Sequence, residues 1–296
     1  MKAARASAVA RRAEPLLRAW ALALRARAGD PGSARLEAEV LLGSVLGCSR
    51  ADLLTLDELS EDALGACQAL VDRRVADGSP VAYLIGRRDF YDLTLVVDER
   101  VLVPRPETET LVEAFADLDE GGQVPPGPVV DWGTGSGAVA LVTARRRGVL
   151  AIDRSRPALD LAALNVAGRE VGGPGETHAI QLVQCDGLSA ARPGSLAAVL
   201  ANPPYVEPED WAELSEDVRH EPQSALVPRE GDVTQLYDTL ARQAAVALVP
   251  RGWLLTEIGR GQAERVVQSC EAAGLTSVQR HHDLAGIERV IAAQRP

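Results

Sequence analysis

The sequence predicts an α/β protein in which a small helical bundle precedes a parallel sheet covered by helices on both faces. Three observations carry this expectation. Short apolar runs alternate with helical stretches from residue 129 onward, in the βαβ manner. A glycine-rich turn joins the first of these runs to a helix. Residues 1–79 show helical spacing with turn signals and no strand pattern. A length of 296 residues is enough for about two domains with cores of their own.

In the bundle, Leu16, Leu17, Trp20, Leu22 and Leu24 are spaced as one face of a helix over residues 8–28. The arginines of the same stretch, Arg11, Arg12, Arg18, Arg25 and Arg27, then form a solvated basic face, which is preferred here to an organellar transit peptide. Gly29-Asp30-Pro31 ends this helix, and Gly47-Cys48-Ser49 breaks the second. Ser60 caps a third, with Glu61 and Asp62 in the first turn where the helix dipole favours negative charge.

Gly78-Ser79-Pro80 marks a boundary. Beyond it, Leu93-Thr94-Leu95-Val96-Val97 and Val101-Leu102-Val103, separated by Asp98-Glu99-Arg100, predict a β-hairpin linker over residues 80–105. Residues 106–296 then form the main domain. Its strand candidates are Val129-Val130, Val149-Leu150-Ala151-Ile152, Leu182-Val183, Ala197-Ala198-Val199-Leu200 and residues 253–258. Helix candidates lie between them at residues 138–147, 157–168 and 235–248, as a sheet with both faces covered requires.

The turn Gly133-Thr134-Gly135-Ser136-Gly137 lets the chain bend sharply and lets a ligand approach the backbone with no Cβ in the way. Its G-x-G-x-G spacing is not the dinucleotide fingerprint. Asp153 ends the second strand, where its carboxylate can accept from both hydroxyls of a ribose. Asp186, before Gly187 and after the third strand, can accept from an adenine amino group, or it can simply begin a strand-ending Asp-Gly turn. Together these residues predict a nucleoside ligand at the strand ends.

The fourth strand runs into Asn202-Pro203-Pro204-Tyr205. An amide nitrogen is a poor nucleophile because its lone pair is shared with the carbonyl, so a catalyst has to orient it and favour its pyramidal form. The Asn202 side-chain carbonyl can accept one N–H of such an amide and the Pro203 carbonyl the other. Prolines remove competing donors and fix φ, and the Tyr205 ring can lie against the planar amide.

With these motifs the chain resembles the PrmC/HemK family of peptide-chain-release-factor glutamine N5-methyltransferases. Further segments occur in the family's order: Pro80-Val81-Ala82-Tyr83-Leu84-Ile85-Gly86, Phe90-Tyr91, Val103-Pro104-Arg105-Pro106-Glu107-Thr108-Glu109, His220-Glu221-Pro222, Ala225-Leu226, and Glu257-Ile258-Gly259 with Gln262. The resemblance implies a Rossmann-like seven-stranded class I methyltransferase sheet, S-adenosyl-L-methionine as cofactor, and a cytoplasmic enzyme. It also implies that the substrate is the glutamine in the Gly-Gly-Gln loop of peptide chain release factors. By position, Gly133, Thr134, Gly135, Ser136 and Gly137 would hold the methionine moiety, Asp153 the ribose, and Asp186-Gly187 the adenine side. Asn202, Pro203, Pro204 and Tyr205 would hold the glutamine. Residues 1–79 carry none of the cofactor motifs and are expected to recognise the protein substrate.

Three departures from the family stand out. Many members carry a bulky aromatic at the place of Gly187, Val227-Pro228-Arg229-Glu230-Gly231-Asp232 replaces a glycine-rich pattern, and Gly286-Ile287-Glu288-Arg289 near the end only partly matches. The chain's own Gly121-Gly122-Gln123 is a chance tripeptide and not a methylation site.

A net charge of −11 argues against wrapping duplex nucleic acid, so stable nucleic-acid binding is not expected. It also disfavours an adenine-N6 DNA methyltransferase, which uses a similar tetrapeptide on a flipped base. A ribosomal-protein glutamine methyltransferase is the nearer alternative, and a silent binding adaptor would have no need to retain both Asn202 and the glycine turn. No apolar run is long enough to span a membrane. Cys48, Cys67, Cys185 and Cys270 lack metal-ligand spacing and predict no metal site. A monomer is expected.

Overall fold

The structure, a computed structural model, describes residues 11–56, 58–168, 178–188, 191–229 and 232–296. Residues 8–10 of the first expected helix, and Glu230-Gly231 of the altered segment, lie outside the described residues. The chain divides into two compact units, residues 1–86 with 216–220, and residues 87–215 with 221–296.

The first unit is helical. A short antiparallel pair, β1 (Arg11–Arg12) with β2 (Glu58–Leu59), accompanies α1 (Ala13–Ala28), α2 (Pro31–Leu46), α3 (Arg50–Leu53), α4 (Glu61–Asp77) and α5 (Val81–Ile85). Leu17, Trp20 and Leu24 of α1 are buried against Leu41, Leu42 and Val71. Leu22 of the expected apolar face is 71% exposed, because a step of two residues from Trp20 turns it to the opposite side of the helix. The Asp30 carboxylate accepts from the backbone N–H groups of Gly32 and Ser33 and starts α2. Ser60 Oγ accepts from Ala63 N at 3.2 Å and starts α4.

A short helix from the second half of the chain, α9 (Glu216–Arg219), belongs to this unit. Arg74 is buried where α4 ends; its guanidinium is paired with Glu37 at 3.0 Å and lies 3.8 Å from Asp217. A buried arginine that finds no carboxylate is costly, so Glu37 and Asp217 are required partners.

The second unit opens with the linker hairpin, whose arms differ from those expected. Strand β3 (Arg87–Phe90) pairs with β4 (Leu93–Val96) in antiparallel register, Phe90 opposite Leu93. Tyr91, at φ 59°, and Asp92 form the tight two-residue turn. Asp98-Glu99-Arg100 turns the chain but joins no strands. Asp98 accepts from the Arg100 backbone N–H and guanidinium instead. The polar run Arg87-Arg88-Asp89 gave no alternation signal, which is why the upstream arm was not expected.

The main sheet has seven strands: β5 (Val129–Trp132), β6 (Val149–Asp153), β7 (Ile180–Gln184), β8 (Leu196–Ala201), β9 (Leu248–Glu257), β10 (Thr276–His282) and β11 (Glu288–Gln294). Their order is β10-β11-β9-β8-β5-β6-β7. The five strands from β9 to β7 run parallel, and β11 and β10 add an antiparallel edge. The residues of β8 alternate between two cores. Val199 and Ala201 pack with α11 (Val233–Ala247) and α12 (Ala263–Ala272), whereas Ala198 and Leu200 pack with α6 (Glu109–Glu120) and α7 (Ala138–Thr143). Helix α8 (Arg156–Gly168) covers β6 and β7, and the short α10 (Gln223–Leu226) precedes α11. Double coverage of this kind explains why the parallel strands read as unbroken apolar runs.

Chain order leaves β5 toward β6 on one side, and β8 lies on its other side. That reversal opens a crevice beyond the carboxyl ends of the strands, where ligands bind in open α/β sheets. Among the described residues no helix is long and apolar enough to cross a membrane.

Candidate active site

The crevice is a cavity of about 390 Å³, within the roughly 300–1,000 Å³ range of small-molecule sites. Each of the five parallel strands delivers a polar side chain at or just beyond its carboxyl end: Asp131 from β5, Asp153 from β6, Asp186 from β7, Asn202 from β8 and Glu257 from β9. Of these, the first four line the cavity and Glu257 is buried.

The glycine turn takes a shape that few other residues tolerate. Gly133, Gly135 and Gly137 have φ of 70°, 54° and 84°. Two carboxylates hold this turn. Asp131 accepts from the Thr134 hydroxyl at 2.5 Å and from Ala140 N at 3.0 Å, which ties the turn to α7. Burial pushes the Asp131 carboxyl up to about 7, against the pull of these two donors, and the nearby Asp153 charge pushes the same way. Asp153 accepts from Gly135 N at 3.0 Å and from Ser155 N at 2.8 Å. Burial raises its pKa, with the two backbone donors acting in the other direction.

Asp186 is exposed at the rim and lies 3.7 Å from Arg229. Beside it, the wall that Gly187 leaves without a side chain is supplied by Gln243 of α11, which lines the cavity. A Cβ at Gly187, where φ is 75°, would lie 2.6 Å from Gln243 Oε1. That oxygen accepts from Leu188 N at 2.8 Å. Gly187→Ala is therefore expected to destabilise the fold by about 1–2 kcal/mol from the left-handed backbone alone, and to weaken ligand binding by displacing Gln243. Thermal melting and ligand titration check this; a variant equal to the parent in both would remove Gln243 from the wall.

Asn202 Nδ2 donates to Thr108 Oγ1 at 2.9 Å, while Asn202 Oδ1 is buried with no hydrogen-bond partner. Trp132 Nε1 is likewise buried and without a partner, and Trp132 also lines the cavity. Buried polar atoms of this kind cost free energy unless a ligand completes them. Pro204 lines the cavity too. Gly137, Pro203 and Tyr205 do not. Gly137 packs on Ala162 of α8, and Pro203 is buried. The Tyr205 hydroxyl donates to Glu257 Oε1 at 3.2 Å, its carbonyl accepts from Gln262 Nε2 at 2.9 Å, and burial raises its pKa.

Glu257 is fully buried, and burial pushes its carboxyl up to about 7. The sign of the consequence for stability is fixed by that direction. A folded-state pKa above the ordinary value of 4.5 means that the stability this group contributes is fully present below 4.5 and is lost as the pH rises through about 7. Glu257→Gln removes that loss. Its melting temperature should fall less than the parent's between about pH 5 and about pH 8; equal falls in calorimetry would contradict the assignment.

Sequence reasoning left Asp131, Trp132, Thr108 and Gln243 out of the site. Asp131 and Trp132 sit in the motif itself, beside the glycines, and a buried strand ending in aspartate was the available signal. Thr108 stands in the segment Val103 to Glu109 that carries the resemblance but had no role assigned to it, and Gln243, far from Leu188 in sequence, gave no signal.

The chain superposes on the hMettl16 catalytic domain solved with an RNA 3′UTR hairpin, at 12% identity and a TM-score of 0.53 over 81% of this chain and 85% of that one, which shows a common fold. Residues 16–86 match the family model described as PrmC N-terminal domain, and residues 107–234 the one described as methyltransferase small domain. The release factor glutamine methyltransferase of Xylella fastidiosa strain Temecula1 is 40% identical over 268 residues, 88% of this chain and 94% of that protein. The chain belongs to the release factor glutamine methyltransferase family. The Escherichia coli K12 member is 37% identical over 264 residues, 87% of this chain and 91% of that protein. The Coxiella burnetii member is 36% identical, with 88% and 92% covered.

A member of this family is a methyltransferase, and S-adenosyl-L-methionine is its methyl donor. The residues present fit that group. The glycine turn has no Cβ to intrude, Asp153 stands at the end of β6, and Asn202 Oδ1 and Trp132 Nε1 are unsatisfied at the cavity.

Proposed function

We propose that the enzyme methylates the side-chain nitrogen of the glutamine in the Gly-Gly-Gln loop of peptide chain release factors, acting in the cytoplasm as a monomer without stable nucleic-acid binding. The observation that carries the reading is the buried, unsatisfied Oδ1 of Asn202 at the lip of the donor cavity. It is a hydrogen-bond acceptor with no donor, and a primary amide supplies the missing N–H. The name shared by the relatives supports the substrate class.

When bound, S-adenosyl-L-methionine supplies an electrophilic methyl group on a positively charged sulfur. Gly133 to Ser136 would hold its amino-acid portion, with Gly137 shaping the turn behind them, Asp153 would accept from the ribose, and Asp186 with Gln243 would bound the base. Asn202 Oδ1 accepts one amide hydrogen of the glutamine and the Pro203 carbonyl accepts the other. Two acceptors on one NH₂ group fix its plane and favour localisation of the nitrogen lone pair as the new bond forms. Pro203 and Pro204 hold the acceptors in place before the substrate arrives. Tyr205, anchored by Glu257 and Gln262, fixes the loop that carries them. The helical unit, residues 1–79 in the sequence reading, recognises the protein substrate.

Mass spectrometry of a release factor incubated with the enzyme and cofactor tests the reading. A gain of one methyl group on the Gly-Gly-Gln glutamine is expected. Parallel incubations with ribosomal protein and with DNA should leave both unmodified; methylation of either in place of the release factor would overturn the assignment.

A further inference from the structure

Gln243 lies on α11 one turn beyond Thr239, on the helix face that walls the cavity together with Leu236 and Leu240. A side-chain amide has an acceptor end and a donor end, and half a rotation exchanges them with almost no change of shape. Here the orientation is fixed. The Leu188 backbone N–H, which can only donate, meets Gln243 Oε1 at 2.8 Å. Leu188 is itself buried in one core with Leu240 and Ala244 of α11, so strand exit and helix are locked together behind the amide.

With the oxygen turned to Leu188, the NH₂ group is the free end. Among the described residues Gln243 Nε2 meets no hydrogen-bond acceptor, and Gln243 lines the cavity. The place of the amide follows from Gly187. A Cβ built there would lie 2.6 Å from Gln243 Oε1 and 3.0 Å from Nε2, so the amide rests against the Gly187 backbone, one residue from Asp186. Asp186 also lines the cavity. The wall beyond β7 therefore sets a donor, Nε2, beside the acceptor oxygens of a carboxylate.

That pairing matches one purine edge. Adenine carries its N6 amino donor next to the N1 acceptor, whereas a 6-oxopurine carries an oxygen acceptor next to an N1–H donor. Asp153 ends β6 and Asp186 follows β7, the neighbouring parallel strand. A base whose ribose is held at Asp153 and which extends toward β7 presents the edge opposite its glycosidic bond, and N1 is the ring nitrogen on that edge.

We infer that Gln243 is a specificity-determining residue for the cofactor: its Nε2 donates to adenine N1 while Asp186 accepts from N6, and the pair rejects a 6-oxopurine. The inference rests on the proposed placement of the ribose and base, and adds which edge is read and by which atom. Gly187 belongs to the same device, since any side chain there would push the amide off the wall. Leu188 N is occupied by Gln243 Oε1 and is not the group that meets the base.

Calorimetric titration with S-adenosylhomocysteine, S-inosylhomocysteine and the 1-deaza analogue of the first tests this without any turnover. The parent should prefer the adenine ligand to the hypoxanthine one by about 10²-fold, because in the latter both contacts become like against like. Gln243→Glu keeps Oε1 for Leu188 N and puts an acceptor in place of the donor. Its affinity for S-adenosylhomocysteine should fall by about 10- to 100-fold while that for S-inosylhomocysteine rises, so the preference narrows or reverses. Gln243→Met removes both ends of the amide. The 1-deaza change should cost the parent about 3- to 10-fold and this variant less than about twofold. Thermal melting shows whether each variant is folded.

A folded Gln243→Glu that keeps the parental preference overturns the inference. So does a 1-deaza penalty that is absent in the parent or undiminished in Gln243→Met, since N1 is then unread or read by another donor. Failure of the underlying placement looks different: Asp153→Ala and Asp186→Asn would both bind S-adenosylhomocysteine like the parent. A release factor left unmethylated defeats the proposed substrate and leaves these titrations to decide the base.

Discussion

Asn202→Ala is expected to lower methyl transfer by about 10²- to 10³-fold, the cost typical of removing one preorganised partner of a developing charge. The side chain does its work as the substrate nitrogen changes shape, so the loss should fall on kcat. Cofactor binding should largely survive, because the turn from Gly133 to Gly137 is held by Asp131 and Asp153 and not by Asn202. Folding should survive too, since the deletion removes a buried oxygen that had no partner and a single hydrogen bond to Thr108. Asn202→Asp provides a contrast, replacing the Nδ2 that donates to Thr108 with an acceptor oxygen. Single-turnover assays with calorimetric titration separate the two effects. A variant that melts like the parent, binds cofactor as well and still transfers methyl at the parental rate would end the mechanism given above.

Asp153→Ala should weaken cofactor affinity by about 10- to 100-fold. A carboxylate accepting from ribose hydroxyls is worth about 1.5–3 kcal/mol, and each 1.4 kcal/mol is about tenfold in affinity. The structure adds a second reason. One Asp153 oxygen accepts from Gly135 N and the other from Ser155 N, so the side chain also shapes the glycine turn. Asp153→Asn keeps one acceptor and should fall between the parent and alanine. Unchanged affinity in Asp153→Ala, measured by calorimetry, would remove this residue from the site.

Much of the site was legible in the sequence for a physical reason. A parallel strand buried on both faces reads as an apolar run, and its last residue is where the chain first meets the ligand crevice. Asp153 and Asn202 therefore announce themselves by following such runs. The glycine turn announces itself because its left-handed backbone excludes most other residues. Strand β10 was not legible in the same way, because Thr276-Ser277-Val278-Gln279-Arg280-His281-His282 has neither an apolar run nor alternation, whereas β11 carries the short run Val290-Ile291-Ala292-Ala293 that was not read as a strand. Pairing with β11 makes β10 a strand, and the sevenfold count rested on resemblance alone.

The hairpin shows the same limit. Residues 93–97 read as a strand, but the partner chosen for them downstream was wrong, since pairing is decided by which turn can close, and Tyr91-Asp92 closes one.

By itself, the sequence determined the α/β class, the bundle ahead of the sheet, the carboxylate that ends β6, the glycine turn and the Asn202-Pro203-Pro204-Tyr205 segment after β8, all features written in consecutive residues. Only the tertiary structure decided what stands behind them. Thr108 lies 94 positions from the Asn202 that donates to it, and Gln243 lies 55 positions beyond Leu188, whose backbone N–H it accepts beside Gly187. Tyr205 reaches Glu257 across 52 positions. Such contacts leave no periodicity and no spacing rule. They exist because the sheet brings five strand ends to one edge, and at that edge burial raises the cost of every polar atom until a distant side chain or a ligand satisfies it.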